Sequence, residues 1–165
     1  MREIKAQIGF GGGCHWCTEA VFNAVTGVDK VSQGWISSSA PYHTFSEAVI
    51  VHYDETVIHM HQLIKIHLHT HSCTGKHQMR TKYRSAIYYF RENDKKNIEK
   101  LLQEFQTDFE APIITKILPF HKFKPSSETY QNYYGKDPEK PFCKVYIAPK
   151  IDKIDQLLSD HDPSS

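Results

Sequence analysis

Apolar and polar positions along the chain lay out most of its elements. Ala6, Ile8 and Phe10 alternate with small or polar residues, predicting a strand from Ala6 to Phe10 that runs into Gly11-Gly12-Gly13. A helix fits from Trp16 to Val25, with Gly27 to end it. Val28 to Val31 reads as a short strand, and Ser37-Ser38-Ser39-Ala40-Pro41 as a loop. Phe45 to Tyr53 is rich in β-branched and aromatic residues, as a well-buried strand is. Thr56 is the expected cap of a helix carrying Val57, Met60, Ile64 and Leu68 at helical spacing. Ser72 to Lys82 is polar and irregular, and Ser85 to Phe90 is the next strand. Asn93 to Phe109 is an amphipathic helix with Ile98, Leu101, Leu102 and Phe105 on one side. Ile113 to Leu118 predicts a further strand, stopped by Pro119. From Pro125 the pattern yields a short helix around Tyr130 to Tyr134, a loop punctuated by prolines and a last helix near Asp152 to Leu158. Strands alternating with helices predict an α+β fold, a two-layer sandwich with a mixed sheet and flanking helices.

Composition narrows the class. The 165 residues suit one domain spanning 1–165. A hydrophobic share of 39% and a charged share of 24% are those of an ordinary globular protein. The net charge of +1 gives no reason to expect nucleic acid or an anionic membrane surface as a partner. No apolar run approaches the ~20 residues of a membrane-crossing helix, and Met1-Arg2-Glu3-Ile4-Lys5 has no secretory character. The expectation is a cytoplasmic monomer. Without an export signal, the four cysteines (Cys14, Cys17, Cys73 and Cys143) argue for redox or metal work over a disulfide framework.

The densest chemistry lies in Gly11-Gly12-Gly13-Cys14-His15-Trp16-Cys17-Thr18-Glu19. Glycines allow a sharp turn out of the strand. Cys14 then stands where the helix begins, and the unpaired N–H groups and positive dipole end of a helix favour a thiolate. Lowering a thiol from its ordinary pKa of ~8.5 makes it a nucleophile near neutral pH. An isolated Gly-Cys reads equally well as a buried turn whose cysteine only packs. Three glycines, an aromatic neighbour and a second thiol favour chemistry.

This segment resembles the active-site signature of the A class of peptide methionine sulfoxide reductases. Three further stretches support the resemblance in order: Glu47-Ala-Val-Ile-Val-His-Tyr-Asp54, Lys82-Tyr-Arg-Ser-Ala-Ile-Tyr-Tyr89, and Glu128-Thr-Tyr-Gln-Asn-Tyr-Tyr134 followed by Pro138 and Cys143. Together they run from Phe10 to Cys143. The resemblance implies that Cys14 attacks the sulfur of methionine sulfoxide, free or in a peptide, and becomes a sulfenic acid. A second thiol condenses with it to a disulfide, which a thioredoxin-type reductant reopens. It implies the S epimer as substrate and no cofactor. Glu47 matches the family's acid, which protonates the leaving sulfoxide oxygen; outside that context it reads as a solvated carboxylate at a strand edge. Tyr83 would hold the same oxygen, and Trp16 would offer an apolar face to the S-methyl group. Both residue types are also common in cores.

The chain departs from the family pattern in four places. His15 stands where the family usually has Phe, making one wall of the methyl pocket more polar. The loop between Trp35 and Glu47 is shorter and lacks the stretch that usually holds a second active-site tyrosine, for which Tyr42 is the candidate. Gln78, beside His77, takes the place of the family's aspartate. After Cys143 the usual glycine-rich tail is replaced by Lys144-Val-Tyr-Ile-Ala-Pro-Lys150, so 144–165 is a variant C-terminal extension. The expected first disulfide is Cys14–Cys143, with Cys17 as a secondary partner or a packing residue and Cys73 as a bystander. Cys17 is the competing resolving thiol, because Cys14-X-X-Cys17 places it one helical turn on.

Three rival readings stand beside this one. A thiol-disulfide oxidoreductase could use Cys14-His-Trp-Cys17, though three glycines replace the apolar lead usual there. A metal site could draw on the 67–73 run, where His67, His69, His71 and Cys73 alternate, with His59 and His61 upstream. Residues two apart on a helix face different ways, so the expectation is no metal. A binder or scaffold without catalysis is the third, and the retained Cys14, Glu47 and Tyr83 argue against it.

Overall fold

The computed structural model describes residues 5–12, 15–71, 73–75, 84–127, 136 and 148–159, apart from the side chains of 15 and 159. The strands are β1 (Lys5–Gly11), β2 (Val28–Ser37), β3 (Ser46–Asp54), β4 (Ala86–Tyr89), β5 (Lys116–Pro119) and β6 (Lys122–Pro125). The helices are α1 (His15–Asn23), α2 (Met60–His69), α3 (Glu92–Phe105, continued by a 3-10 turn over Gln106–Asp108), α4 (Ala148–Asp152) and α5 (Ile154–Ser159). The expected helix around Tyr130 to Tyr134 lies outside the described residues.

The six strands form one sheet in the order β5-β4-β1-β3-β2-β6. Only β4 and β5 run parallel; every other neighbouring pair is antiparallel, so the sheet is mixed as expected. Strand alternation sends side chains to two faces. Ile8, Phe10, Val49 and Val51 enter the larger core with Phe22 of α1, Leu63 and Ile66 of α2, Ile98 of α3, and Ile154 and Leu157 of α5. Ile36, Ala48, Ile50 and Tyr88 form a smaller cluster on the other face, covered by Tyr42, Phe90, Phe120 and Phe123. The helices therefore gather on one side, which makes the two layers of the α+β fold. Phe10 and Phe22 anchor α1 to β1 with rings stacked at 4.7 Å. Burying each such side chain contributes about 1.5–3 kcal/mol.

Three elements differ from the sequence reading. β2 continues to Ser37, well beyond Val31, through the polar stretch Ser32-Gln33-Gly34. Gln33 is fully buried there, and its polar atoms are met: its amide donates to Glu19 at 2.9 Å, and its carbonyl oxygen accepts from Ser126 Oγ at 2.8 Å. A polar residue can hold a central strand position when its hydrogen bonds are satisfied. β6, with Lys122, Lys124 and Pro125, is an edge strand whose composition hid it and which suits an unpaired edge. It lies so close that a Cβ at Gly34 would overlap the Lys124 carbonyl. Finally, α2 starts at Met60 and not after Thr56. Asp54 Oδ1 accepts from the Thr56 N–H and hydroxyl at 2.9 and 2.5 Å, closing a turn before the helix, and Gln62 Oε1 accepts from the His59 N–H at 2.9 Å.

Candidate active site

The topology makes β1 a central strand, flanked antiparallel by β3 and β4. Its C-terminal end therefore meets the first residues of both neighbours, with Gly11 opposite Ala48 on one side and Ala86 on the other. A Cβ on Gly11 would lie 2.8 Å from the Arg84 carbonyl and 3.1 Å from that of Glu47, a measure of how closely the three strand ends converge. Gly12 follows with φ of +147°, and α1 begins at His15. Gly12 needs to be glycine twice over, since its backbone is one that L side chains rarely adopt and a methyl there would overlap the His71 ring.

Glu47 sits at this convergence and is buried, 6% exposed. By alternation its side chain takes the helix-covered face, with Val49 and Val51. Trp35 of β2 is directly opposite it across the ladder, and Lys124 of β6 is opposite Trp35, with its ammonium 5.9 Å from the indole centroid. One row beyond lies Gln33 opposite Val49, holding the buried Glu19 of α1. The sequence reading missed Trp35 and Gln33 as site neighbours. Their signal was an aromatic and an amide two residues apart around Gly34, recognisable only once the strand is known to continue.

Arg84 ties the start of β4 to its surroundings. Its N–H donates to Ser46 Oγ at 2.7 Å, and its buried guanidinium donates to Tyr88 Oη at 3.1 Å and to the carbonyls of Ile36 and Thr44, both at 3.2 Å. Tyr42 stacks on this group, its ring 5.8 Å from the guanidinium carbon and 5.1 Å from the Lys116 ammonium. Because Tyr42 belongs to the smaller cluster, it stands on the face opposite the one Glu47 takes. Trp16 is half-buried on the first turn of α1, and Cys17 beside it is buried. Cys17 lines a cavity of about 10 Å³ with Gly12, Val21, His67, Thr70 and His71, no larger than a single water. Cys14, Gln78, Tyr83 and Cys143 lie outside the described residues, as does the side chain of His15.

Among the histidines at the end of α2, His67 and His71 stack on each other at 4.1 Å while His69 turns to a different partner. His67 Nε2 donates to the Gly11 carbonyl at 2.7 Å, His69 Nε2 to Asp108 at 3.0 Å, and His71 reaches Ser85 Oγ at 2.8 Å. Among the described residues, no three His, Cys, Asp or Glu side chains are grouped to hold a metal ion. Cys73 is packed in the larger core. No helix among the described residues is long and apolar enough to cross a membrane.

Burial, and then the neighbouring His71, push the His67 pKa well below the ordinary 6.5, against the smaller upward pull of its hydrogen bond to Gly11. In the unfolded chain this ring takes up a proton below about pH 6.5; in the folded protein it resists. The unfolded state then binds more protons, so stability is full above pH 6.5 and falls as the pH drops below it. The slope from one such ring approaches about 1.4 kcal/mol per pH unit. His52, lowered by partial burial and Lys30, acts in the same direction. Denaturation at pH 7.5, 6.5 and 5.5 should show this loss, and His67→Leu should flatten it.

A glycine turn at the end of the central strand, a buried carboxyl beside it and a mixed sheet layered with helices on one face make this an α+β protein with its candidate site at the strand ends. The family model described as "Peptide methionine sulfoxide reductase" matches residues 6–162, and the chain belongs to that family. Over 159 residues it is 35% identical to the peptide methionine sulfoxide reductase MsrA of Acinetobacter baumannii, covering 88% of this chain and 91% of that protein. Its fold matches the reduced form of Mxr1 from Saccharomyces cerevisiae with a TM-score of 0.76 at 22% identity, over 86% of this chain and 91% of the other. Mxr1 in complex with Trx2 matches with a TM-score of 0.63 at 22% identity, over 81% and 89%.

Proposed function

We propose that this protein reduces the S epimer of methionine sulfoxide, free or in peptides, with Cys14 as nucleophile. What carries the reading is the convergence of the Gly11-Gly12 turn, the buried Glu47 and the start of β4 beside the first turn of α1. Cys14 immediately precedes His15, the first residue of that helix, and helix N-termini favour thiolates.

The Cys14 thiolate attacks the sulfoxide sulfur as Glu47 delivers a proton to the oxygen. The oxygen passes to Cys14, giving a sulfenic acid, and methionine leaves with its sulfur reduced by two electrons. Tyr83 donates a hydrogen bond to that oxygen, while Gln78 supplies a neutral amide near it. Trp16 and His15 flank the S-methyl group. Tyr42, on the opposite face of the sheet, takes no part in this scheme. The Cys143 thiol then condenses with the sulfenic acid, releasing water and forming the Cys14–Cys143 disulfide. Two thiols of a thioredoxin-type reductant reopen it, as thiolate attack on a disulfide allows. Cys17, buried one turn along α1, serves as a secondary partner or a packing residue. A Cys14–Cys17 bridge forming at the normal rate in Cys143→Ser, read by peptide mapping after one equivalent of sulfoxide, would reverse that order.

The test is turnover of each sulfoxide epimer with dithiothreitol as reductant, beside reduction of insulin disulfides. Activity confined to the S epimer is the expected result. Activity on insulin alone would replace the reading with a disulfide oxidoreductase built on Cys14 and Cys17, and activity on the R epimer would overturn the stereochemistry.

A further inference from the structure

We propose that His67 and His71 are positioning residues for the sulfoxide reduction: together they clamp the Gly11-Gly12 turn, ahead of the nucleophile, to the start of β4. The inference rests on the proposed role of Cys14 and concerns groups that scheme does not use.

The hydrogen bonds form a directed chain. The Gly11 carbonyl can only accept, so His67 Nε2 carries the proton in their 2.7 Å contact. The His67 carbonyl accepts from His71 Nδ1. In the neutral ring, His71 Nε2 is then left to accept from Ser85 Oγ at 2.8 Å, and Ser85 Oγ to accept from Thr115 Oγ1 at 2.8 Å. The rings themselves are stacked: His67 lies 4.6 Å from Phe10 and 4.1 Å from His71. The His71 ring also lies so near Gly12 that a Cβ there would overlap it. One continuous column thus joins the last residue of β1, the positive-φ glycine after it, the end of α2 and Ser85, the residue just before β4.

Burying an imidazole for packing alone makes little physical sense here. His67 is 2% exposed, and its Nδ1 has no hydrogen-bond partner among the described residues. An apolar side chain would fill this site, flanked by Phe10, without leaving a buried nitrogen unsatisfied. What an apolar residue lacks is the N–H that holds the Gly11 carbonyl. Gly11 is paired with Ala48 and Ala86 in the ladder, and the His67 N–H adds a side-chain anchor to its carbonyl at the point where the chain leaves the strand for the glycine turn. Misplacing a reacting group by about 1 Å can cost ~10²-fold in rate.

The experiment compares His67→Gln with His67→Leu. Glutamine places an N–H at the reach of Nε2; leucine fills space without one. Retention of packing favours leucine, whereas retention of the Gly11 hydrogen bond favours glutamine, so stability and rate should rank the two variants in opposite orders. With dithiothreitol as reductant, His67→Gln is expected within about threefold of the unmodified protein in kcat. His67→Leu should lose at least ~10-fold in kcat with KM changed less than about threefold, while melting no lower than His67→Gln. A kcat that follows melting temperature, or wild-type rates in both variants, would overturn the proposal. Alkylation of Cys14 by iodoacetamide, mapped by mass spectrometry, reads the clamp without turnover and should be slowed in His67→Leu only. If the unmodified protein reduces neither epimer, the functional reading fails, and the alkylation rates still decide the clamp. Should His67→Leu not fold, Ser85→Ala removes the other end of the column; a kcat loss of about threefold or more, with melting unchanged, supports it, and an unchanged kcat refutes it.

Discussion

Cys14→Ser is expected to lower sulfoxide turnover by more than about 10³-fold, the largest single effect the scheme contains. A hydroxyl is far less acidic than a thiol and is not made nucleophilic toward sulfur by a helix end alone. The loss should appear in kcat and persist with dithiothreitol, because the defect precedes the disulfide. In the unmodified protein one equivalent of sulfoxide should place a sulfenic acid on Cys14, trapped by a cyclic 1,3-diketone, and more of it should accumulate in Cys143→Ser. Cys143→Ser should still make one methionine per chain. Full turnover in Cys14→Ser would remove the nucleophile from the scheme, and with it the sulfenic acid and both candidate disulfides.

The second large effect is expected at Glu47→Gln. Glutamine keeps the shape and one hydrogen-bonding oxygen of the buried carboxyl but has no proton to deliver as the S–O bond breaks. General acid catalysis is worth about 10²–10⁴-fold, and kcat should fall by that much. Alkylation of Cys14 by iodoacetamide needs no acid and should continue at the normal rate. That pairing separates proton delivery from thiol activation. A rate near that of the unmodified protein would mean that another group protonates the oxygen. A slowed alkylation would mean that Glu47 supports the turn instead.

The chain announced its strands where periodicity was strong. β1 and β3 follow alternation and β-branched content, and α3 follows its spacing of Ile98, Leu101, Leu102 and Phe105. β5 begins at Lys116, later than the apolar run that starts at Ile113, and includes Pro119 as its last residue. β2 was underestimated because Gln33 looks like a strand breaker until Glu19 and Ser126 are seen to satisfy it. β6 was missed because its Lys-Phe-Lys-Pro sequence carries no core signal. The last helix, expected from Asp152 to Leu158, is broken at Lys153 into α4 and α5. Lys153 instead donates to the carbonyl of His69, the last residue of α2, at 3.1 Å.

Local chemistry settles what a residue is able to do, and that much is written in the order of amino acids. A thiol after three glycines, a carboxyl leading an apolar strand and the four ordered segments of the family require no coordinates to recognise. Which groups meet is a different matter, because long-range hydrogen bonds and strand neighbours leave no periodic trace. His67 lies 56 residues from the Gly11 carbonyl it holds, and nothing in its helix predicts that partner. Only the pairing of β2 with β3 sets Trp35 opposite Glu47, and only the division of the core into two clusters sends Tyr42 to the other side. The sheet order decides these encounters: a central β1 brings the starts of two antiparallel neighbours to its own end, whatever their separation along the chain.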